Sequence, residues 1–388
     1  MKAFEIGEEA IARVVGGLIA DELSSRFKRH TDFLTLASWT AETAIGPGGI
    51  DLSSEERRAC ARRCARFFGA DAEALAKADA ERVADWARFI AGAIGRSLTR
   101  FAFTAAGRDS ETEASLHPAD EVFNDAAAAA NLLYGRRRLI SLVAPHGFLG
   151  FAVTVLTPNL QHIPAIDARG MPPDALAKTL AFGDAVVATP TLWRYMIREG
   201  VAAPDNAMGV LFGEPMTPEL AADIRKAGFG AIRELYGSTE TGLVAWRDSP
   251  SEPFVLFDHW RRAGDELERL SPSGASRRVA PMDALEWANE LSFRLGARRD
   301  GAVQVGAVNV FPERIARVIR QHPAVDDCRV WVVRHQGGVN RLVARIALNR
   351  EIAPTEPTAR DIDAWCRSQL RPEERPRIYN FEMSLGED

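Results

Sequence analysis

Lysine is scarce in this chain of 388 residues: Lys2, Lys28, Lys77, Lys178 and Lys226 are the only five. None follows position 226, which excludes any role for lysine in the C-terminal part of the sequence given. Cysteine is rarer still. Cys60, Cys64, Cys328 and Cys366 make no disulfide framework. Cys60 and Cys64 stand one helical turn apart without a neighbouring histidine or second cysteine pair, so they read as packing residues and not as zinc ligands. No uninterrupted apolar run is long enough to span a bilayer. The best candidate, 139–158, is broken by Pro145, His146, Gly147 and Gly150 and reads as a strand, a turn and a buried helix. The net charge of −5 comes without a basic stripe, which argues against a nucleic-acid partner. The first residues lack a signal-peptide pattern, so the expected location is the cytoplasm, with no membrane partner.

Nearly half of the residues, 46%, are hydrophobic, enough at this length for one large core and one small one. Residues 1–97 carry apolar positions at helical spacing, as in Val83, Trp86, Ala87, Ile90 and Ile94. A Gly/Pro break at 46–49 divides that region, and Ser53 or Ser54 is placed to cap the helix that follows. From about residue 98, short apolar runs at 98–104, 139–144, 185–188, 209–212 and 232–236 alternate with helical stretches. That alternation predicts α/β architecture with buried parallel strands. Shorter strands and turns are expected over 253–295. A compact α+β unit follows, with strands at 303–305, 327–333 and 342–348 and helices at 312–322 and 358–370. The expected division is a helical region, 1–97, an α/β core, 98–299, that forms the large domain with it, and a small mobile domain, 300–388.

Two segments carry the chemistry. Residues 236–242 read Tyr-Gly-Ser-Thr-Glu-Thr-Gly, and 297–312 read Ala-Arg-Arg-Asp-Gly-Ala-Val-Gln-Val-Gly-Ala-Val-Asn-Val-Phe-Pro. In this order and spacing they resemble the adenylate-binding turn and the interdomain hinge of the adenylate-forming acyl/aryl-CoA synthetase superfamily. Within it, the chain resembles a short bacterial branch of 4-coumarate-CoA-ligase-like proteins. The resemblance implies a large α/β domain with a helical N-terminal region and a small α+β C-terminal domain. It also implies that Tyr236 stacks on adenine, Gly237, Ser238 and Thr239 border the nucleotide, Thr239 bonds phosphate, and Glu240 holds Mg²⁺.

Further segments extend the match. Gly213, Glu214 and Pro215 lie where the family lines its adenine and acyl pocket. Residues 145–150, Pro-His-Gly-Phe-Leu-Gly, resemble its substrate segment, with His146 as a gate. Phe148 and, from the Thr-Pro-Thr-Leu-Trp stretch at 189–193, Trp193 would wall the acid pocket. Asp283 matches the aspartate that grips both ribose hydroxyls, since a carboxylate accepts from two adjacent donors. Asp265 is a rival on motif alone, but Asp283 falls 15 residues before Arg298, as in the family. Arg298 would be a second ribose contact, Asp300 the hinge, and Gly306 the loop at the thiol channel.

Two departures stand against this pattern. Where the family has a Gly/Ser/Thr-rich phosphate loop ending in lysine, residues 104–113 read Thr-Ala-Ala-Gly-Arg-Asp-Ser-Glu-Thr-Glu, with Glu113 in the lysine's place. Asp109, Glu111 and Glu113 repel a triphosphate, while Arg108 offers a planar donor to it. The segment from Pro376 to Asp388 also lacks the family's C-terminal catalytic lysine. The expected activity is that of an acid–CoA ligase on an aromatic acid of the 4-coumarate kind, with Thr239, Glu240 and His146 as catalytic residues. ATP, Mg²⁺ and CoA, or the phosphopantetheine of an acyl carrier protein, are the implied cofactors and partners. The alternative is a catalytically degenerate relative that binds an adenylate, an acyl thioester or a partner protein.

Overall fold

The structure, a computed structural model, describes residues 5–78, 80–105, 114–299, 301–305, 308–334, 340–349 and 352–382. The chain divides into two compact units, Met1–Pro281 with Leu285–Leu295, and Met282–Ala284 with Gly296–Asp388.

The first unit begins with five helices: α1 (Glu8–Phe27), α2 (Phe33–Ser38), α3 (Ser54–Phe68), α4 (Ala72–Lys77) and α5 (Val83–Ser97). On α1 the buried residues Ile11, Val14, Val15, Leu18 and Ile19 follow the three-to-four spacing of one helix face. Ser53 caps α3 in a reciprocal box: its Oγ accepts from the Glu56 amide at 3.2 Å, and Glu56 accepts from the Ser53 amide at 2.8 Å. Such a cap contributes about 1 kcal/mol. Gly69, at φ 66°, ends the helix in the left-handed region. Strand β1 (Arg100–Phe103) pairs antiparallel with β2 (Ser115–Pro118), apart from the main sheet. Residues 98–104 were expected among the parallel strands. Their apolar run arises instead because Phe101 and Phe103 are buried in an aromatic cluster with Phe67, Phe68 and Phe151.

After α6 (Ala119–Leu132) comes β3 (Arg138–Ser141), then α7 (Phe148–Phe151), which continues through a π-helical turn into α8 (Thr157–Gln161). These elements account for the apolar stretch at 139–158. Among the described residues, no helix is long and apolar enough to cross a membrane. The remaining α/β elements are β4 (Ala165–Asp167), α9 (Pro173–Thr179), β5 (Asp184–Ala188), α10 (Pro190–Arg198), β6 (Met208–Leu211), α11 (Pro218–Lys226) and β7 (Ala231–Ser238). Then β8 (Gly242–Arg247) and β9 (Phe254–Leu256) lead to a three-stranded sheet of β10 (Trp260–Ala263), β11 (Glu266–Leu270) and β12 (Ser276–Val279), and to β13 (Asp283–Asn289) and β14 (Ser292–Arg298). The main sheet runs β13-β14-β9-β8-β7-β6-β5-β3-β4. Its pairs are parallel from β4 to β7 and antiparallel at β7–β8. Every residue of β5 and β6 is buried, as expected of parallel strands covered on both faces.

The second unit contains β15 (Val303–Val305), β16 (Val308–Val310), α12 (Pro312–Ile319), β17 (Val325–Arg334), β18 (Asn340–Leu348), α13 (Glu356–Gln369) and β19 (Ile378–Glu382). Antiparallel β17–β18 and parallel β18–β19 form its sheet. Ile315, Ile319, Ile346, Ile362 and Cys366 are fully buried in its core. All four cysteines are buried free thiols, two in each unit. Burial pushes the Cys60 and Cys328 thiols up to about 12.

Candidate functional site

The turn from β7 to β8 is built by its own hydroxyls. Ser238 Oγ accepts from the amides of Glu240 and Thr241, both at 3.2 Å, and Thr241 Oγ1 accepts from the Ser238 amide at 3.0 Å. Thr241 is buried, whereas Thr239 and Glu240 are half-buried. Among the described residues, the Thr239 hydroxyl and the Glu240 carboxylate make no hydrogen bond. The turn therefore uses Ser238 and Thr241 for structure and leaves the other two side chains available. Gly242 closes it at φ 86°, where a Cβ would lie 2.6 Å from Asp125 Oδ2 and 3.0 Å from Phe148 Cζ. Tyr236, one strand position before Gly237, packs against Phe254 and Phe293, both with ring centroids 5.6 Å away.

Beneath the turn is a group of buried polar residues that the sequence motifs did not indicate. His117, at the end of β2, brings Nε2 within 2.7 Å of the Thr239 carbonyl oxygen, and burial lowers its pKa. On α6, Asp125 Oδ2 accepts from the Leu243 amide at 2.9 Å. Asp125 Oδ1 also meets Arg269 Nη2 and His259 Nε2, each at 2.8 Å. Glu121 pairs with Arg269 at 2.9 Å and with Arg277 at 3.1 Å. The spacing of His117, Glu121 and Asp125, four residues each, was visible. Their partners lie more than a hundred positions away, and no local signal connects them.

The segment at 213–216 is also committed. Glu214 accepts from Thr191 Oγ1 at 2.8 Å and lies 3.6 Å from Arg194. Gly213 has φ 93°, and Pro215 precedes Met216, whose amide donates to buried Glu234 at 2.7 Å. Burial raises the Glu234 pKa, although Arg247 Nε donates to it at 2.6 Å. Trp193 is fully buried in the core around Ile224 and Phe229, with its indole N–H donating to the Val210 carbonyl. It is placed apart from Phe148, which lies in the cluster with Phe103, Phe151 and the N-terminal helices. His146 packs against α1, where a Cβ on Gly17 would approach its Nδ1 to 2.7 Å. Burial pushes its pKa down to about 4, and its Nδ1 has no hydrogen-bond partner among the described residues. Thr104, where the phosphate-loop segment begins, accepts from Arg63 at 2.8 Å, and Arg63 pairs with Asp21 at 3.2 Å. Gly107, Arg108, Asp109, Glu111 and Glu113 lie outside the described residues, as do Asp300, Gly306 and 383–388.

In the second unit, Asp283 and Arg298 approach each other to 4.0 Å. Their strands are joined there by the Arg299 amide donating to the Met282 carbonyl at 2.7 Å. No group of three or more potential metal ligands occurs among the described residues.

No family model matches the chain. Solved structures share its fold: an amide bond synthetase from Marinactinospora thermotolerans aligns with TM-score 0.60 and 16% identity over 97% of this chain and 91% of that one. An o-succinylbenzoate CoA synthetase from Bacillus subtilis aligns with TM-score 0.60 and 15% identity over 82% of this chain and 71% of that one. The fold is that of the adenylate-forming CoA synthetases. In sequence, the chain is similar to bacterial 4-coumarate–CoA ligases. That of Halorhodospira halophila is 29% identical over 98% of this chain and 97% of its own length, and that of Rhodobacter capsulatus is 30% identical over 64% and 61%.

Proposed function

We propose that this protein is an acid–thiol ligase that activates an aromatic carboxylate of the 4-coumarate kind as its acyl-adenylate. The acyl group then passes to the thiol of CoA or of a carrier phosphopantetheine, releasing AMP. The observation that carries this proposal is the β7–β8 turn, in which Thr239 and Glu240 are left uncommitted by a scaffold of Ser238 and Thr241. Full-length similarity to a 4-coumarate–CoA ligase supports the same assignment.

In this assignment Tyr236 stacks on the adenine, and Asp283 with Arg298 holds the ribose. The Thr239 hydroxyl donates to the phosphate. Glu240 would hold Mg²⁺, whose preference for one or two carboxylates plus phosphate oxygens fits a lone carboxylate better than a protein cage. When bound, the ion neutralises phosphate charge. Backbone and hydroxyl donors fixed before the reaction stabilise developing charge without reorganising, which makes positioned groups effective. His146, neutral at physiological pH, borders the acid pocket with Phe148. By the family resemblance, Asp300 is assigned as the hinge residue and Gly306 to the thiol channel.

One sequence feature favours the alternative of a non-catalytic adenylate or thioester binder: Glu113 stands where the family has its phosphate-loop lysine. The deciding experiment is ATP–pyrophosphate exchange with a panel of aryl acids, run beside AMP calorimetry. Weak exchange is expected from the wild type. It should rise when 104–113 is replaced by a Gly/Ser/Thr-rich loop ending in lysine, since one positioned donor is worth about 10²–10³ in rate. AMP binding without exchange in either protein would support the binder. No AMP binding in either would overturn both assignments.

A further inference from the structure

His117 meets a carbonyl oxygen, which can only accept, so its Nε2 must carry the proton of the 2.7 Å bond to Thr239. Its Nδ1 is buried and has no hydrogen-bond partner among the described residues. A doubly protonated ring would therefore leave an N–H buried and unmet, at a cost that disfavours it. The rings of Phe148 and Phe103, with centroids 4.7 and 5.8 Å away, enclose the imidazole. The strand that carries His117 ends at Pro118 and leads directly into α6, where Asp125 accepts from the Leu243 amide. Thus 117–125 grips the turn at both ends, at the carbonyl of Thr239 and at the amide following Gly242.

We infer that His117 is a positioning residue, a neutral Nε2–H clamp that fixes the backbone from which Thr239 and Glu240 project. It touches neither nucleotide nor acid. Its effect passes through the Thr239 carbonyl, holding the peptide between the two side chains in one orientation while Asp125 holds the exit of the turn. With the clamp gone, Ser238 and Thr241 still bridge the turn internally, so the loop survives but its tip samples other orientations. For the nucleotide, the consequence rests on the function proposed above; the clamp itself does not.

The test compares the full chain with His117→Gln, whose terminal amide N–H can reach as far as imidazole Nε2, and with His117→Leu, which has no donor. In the wild type, nitrogen NMR at neutral pH should show the neutral Nε2–H tautomer. Amide hydrogen exchange at Glu240 and Thr241 should accelerate about tenfold in the Leu variant, the scale of one lost hydrogen bond, and return most of the way in the Gln variant. Protection of β5 should stay unchanged in both. AMP affinity should fall about tenfold in Leu and recover in Gln. An Nδ1–H tautomer, unaltered exchange at the turn, or acceleration spread evenly over the chain would overturn the clamp. Absence of AMP binding by the wild type would refute the proposed function alone, because tautomer and exchange still decide the clamp.

Discussion

At Gly242 a side chain is disfavoured twice over: the φ of 86° is one that L residues rarely adopt, and a Cβ would lie only 2.6 Å from Asp125 Oδ2. Gly242→Ala should therefore lose about 1–3 kcal/mol in chemical denaturation, the scale for backbone strain in this region. Asp283 makes a different kind of prediction. If it grips the ribose, Asp283→Ala should weaken AMP binding by about 1.5–3 kcal/mol, the range for hydrogen bonds to a charged group, as read by calorimetry. Equal affinity would remove Asp283 from the site. His146 sets a pH dependence. Its pKa is about 4 in the folded chain against an ordinary 6.5, so below pH 6.5 the unfolded chain takes up a proton that the folded chain resists. Stability should fall as pH drops from 6.5 towards 4 and show no further loss from this group below that. His117, whose pKa is also lowered by burial, acts in the same direction. His146→Gln should flatten the decline between pH 6.5 and 4 in acid denaturation followed by circular dichroism.

Among the elements, α6 and β11 are bound by charge in a dry setting. Arg269 on β11 is almost fully buried, meets Glu121 and Asp125 on α6, and lies over the Trp260 ring at 5.1 Å. Removing one partner of such a group strands the others. Arg269→Met should cost about 3–5 kcal/mol, and adding Asp125→Asn with Glu121→Gln should recover part of it. A loss within 1 kcal/mol would mean that the carboxylates are satisfied without the arginine. Local elements were legible in the sequence because their signals are local. The Ser53 cap, the parallel strands β3, β5, β6 and β7, and β15, α12, β17, β18 and α13 follow from capping chemistry and apolar periodicity. Residues 100–103 were misassigned because a strand buried under an aromatic cluster and one buried in a parallel sheet both read as a continuous apolar run. The turn at 236–242 was legible as a motif. Its buried support was not, because His117 and Arg269 acquire their roles only from chain segments brought together by the fold.

Across the whole molecule, the division into two units predicts a trypsin-sensitive point at exposed Arg299, just beyond β14. One early cut should leave fragments of about 300 and 90 residues, and AMP should alter its rate. Uniform cleavage along the chain would contradict a separate second unit. The burial of two cysteines in each unit has a further use. A thiol raised to about 12 and closed off from solvent cannot react with an alkylating reagent until its surroundings open. Each pair is then a clock for its own unit, with labelling at Cys60 and Cys64 timing one opening and labelling at Cys328 and Cys366 the other. With no further cysteine in the sequence to obscure the signal, the native chain already carries separate chemical reporters for its two units.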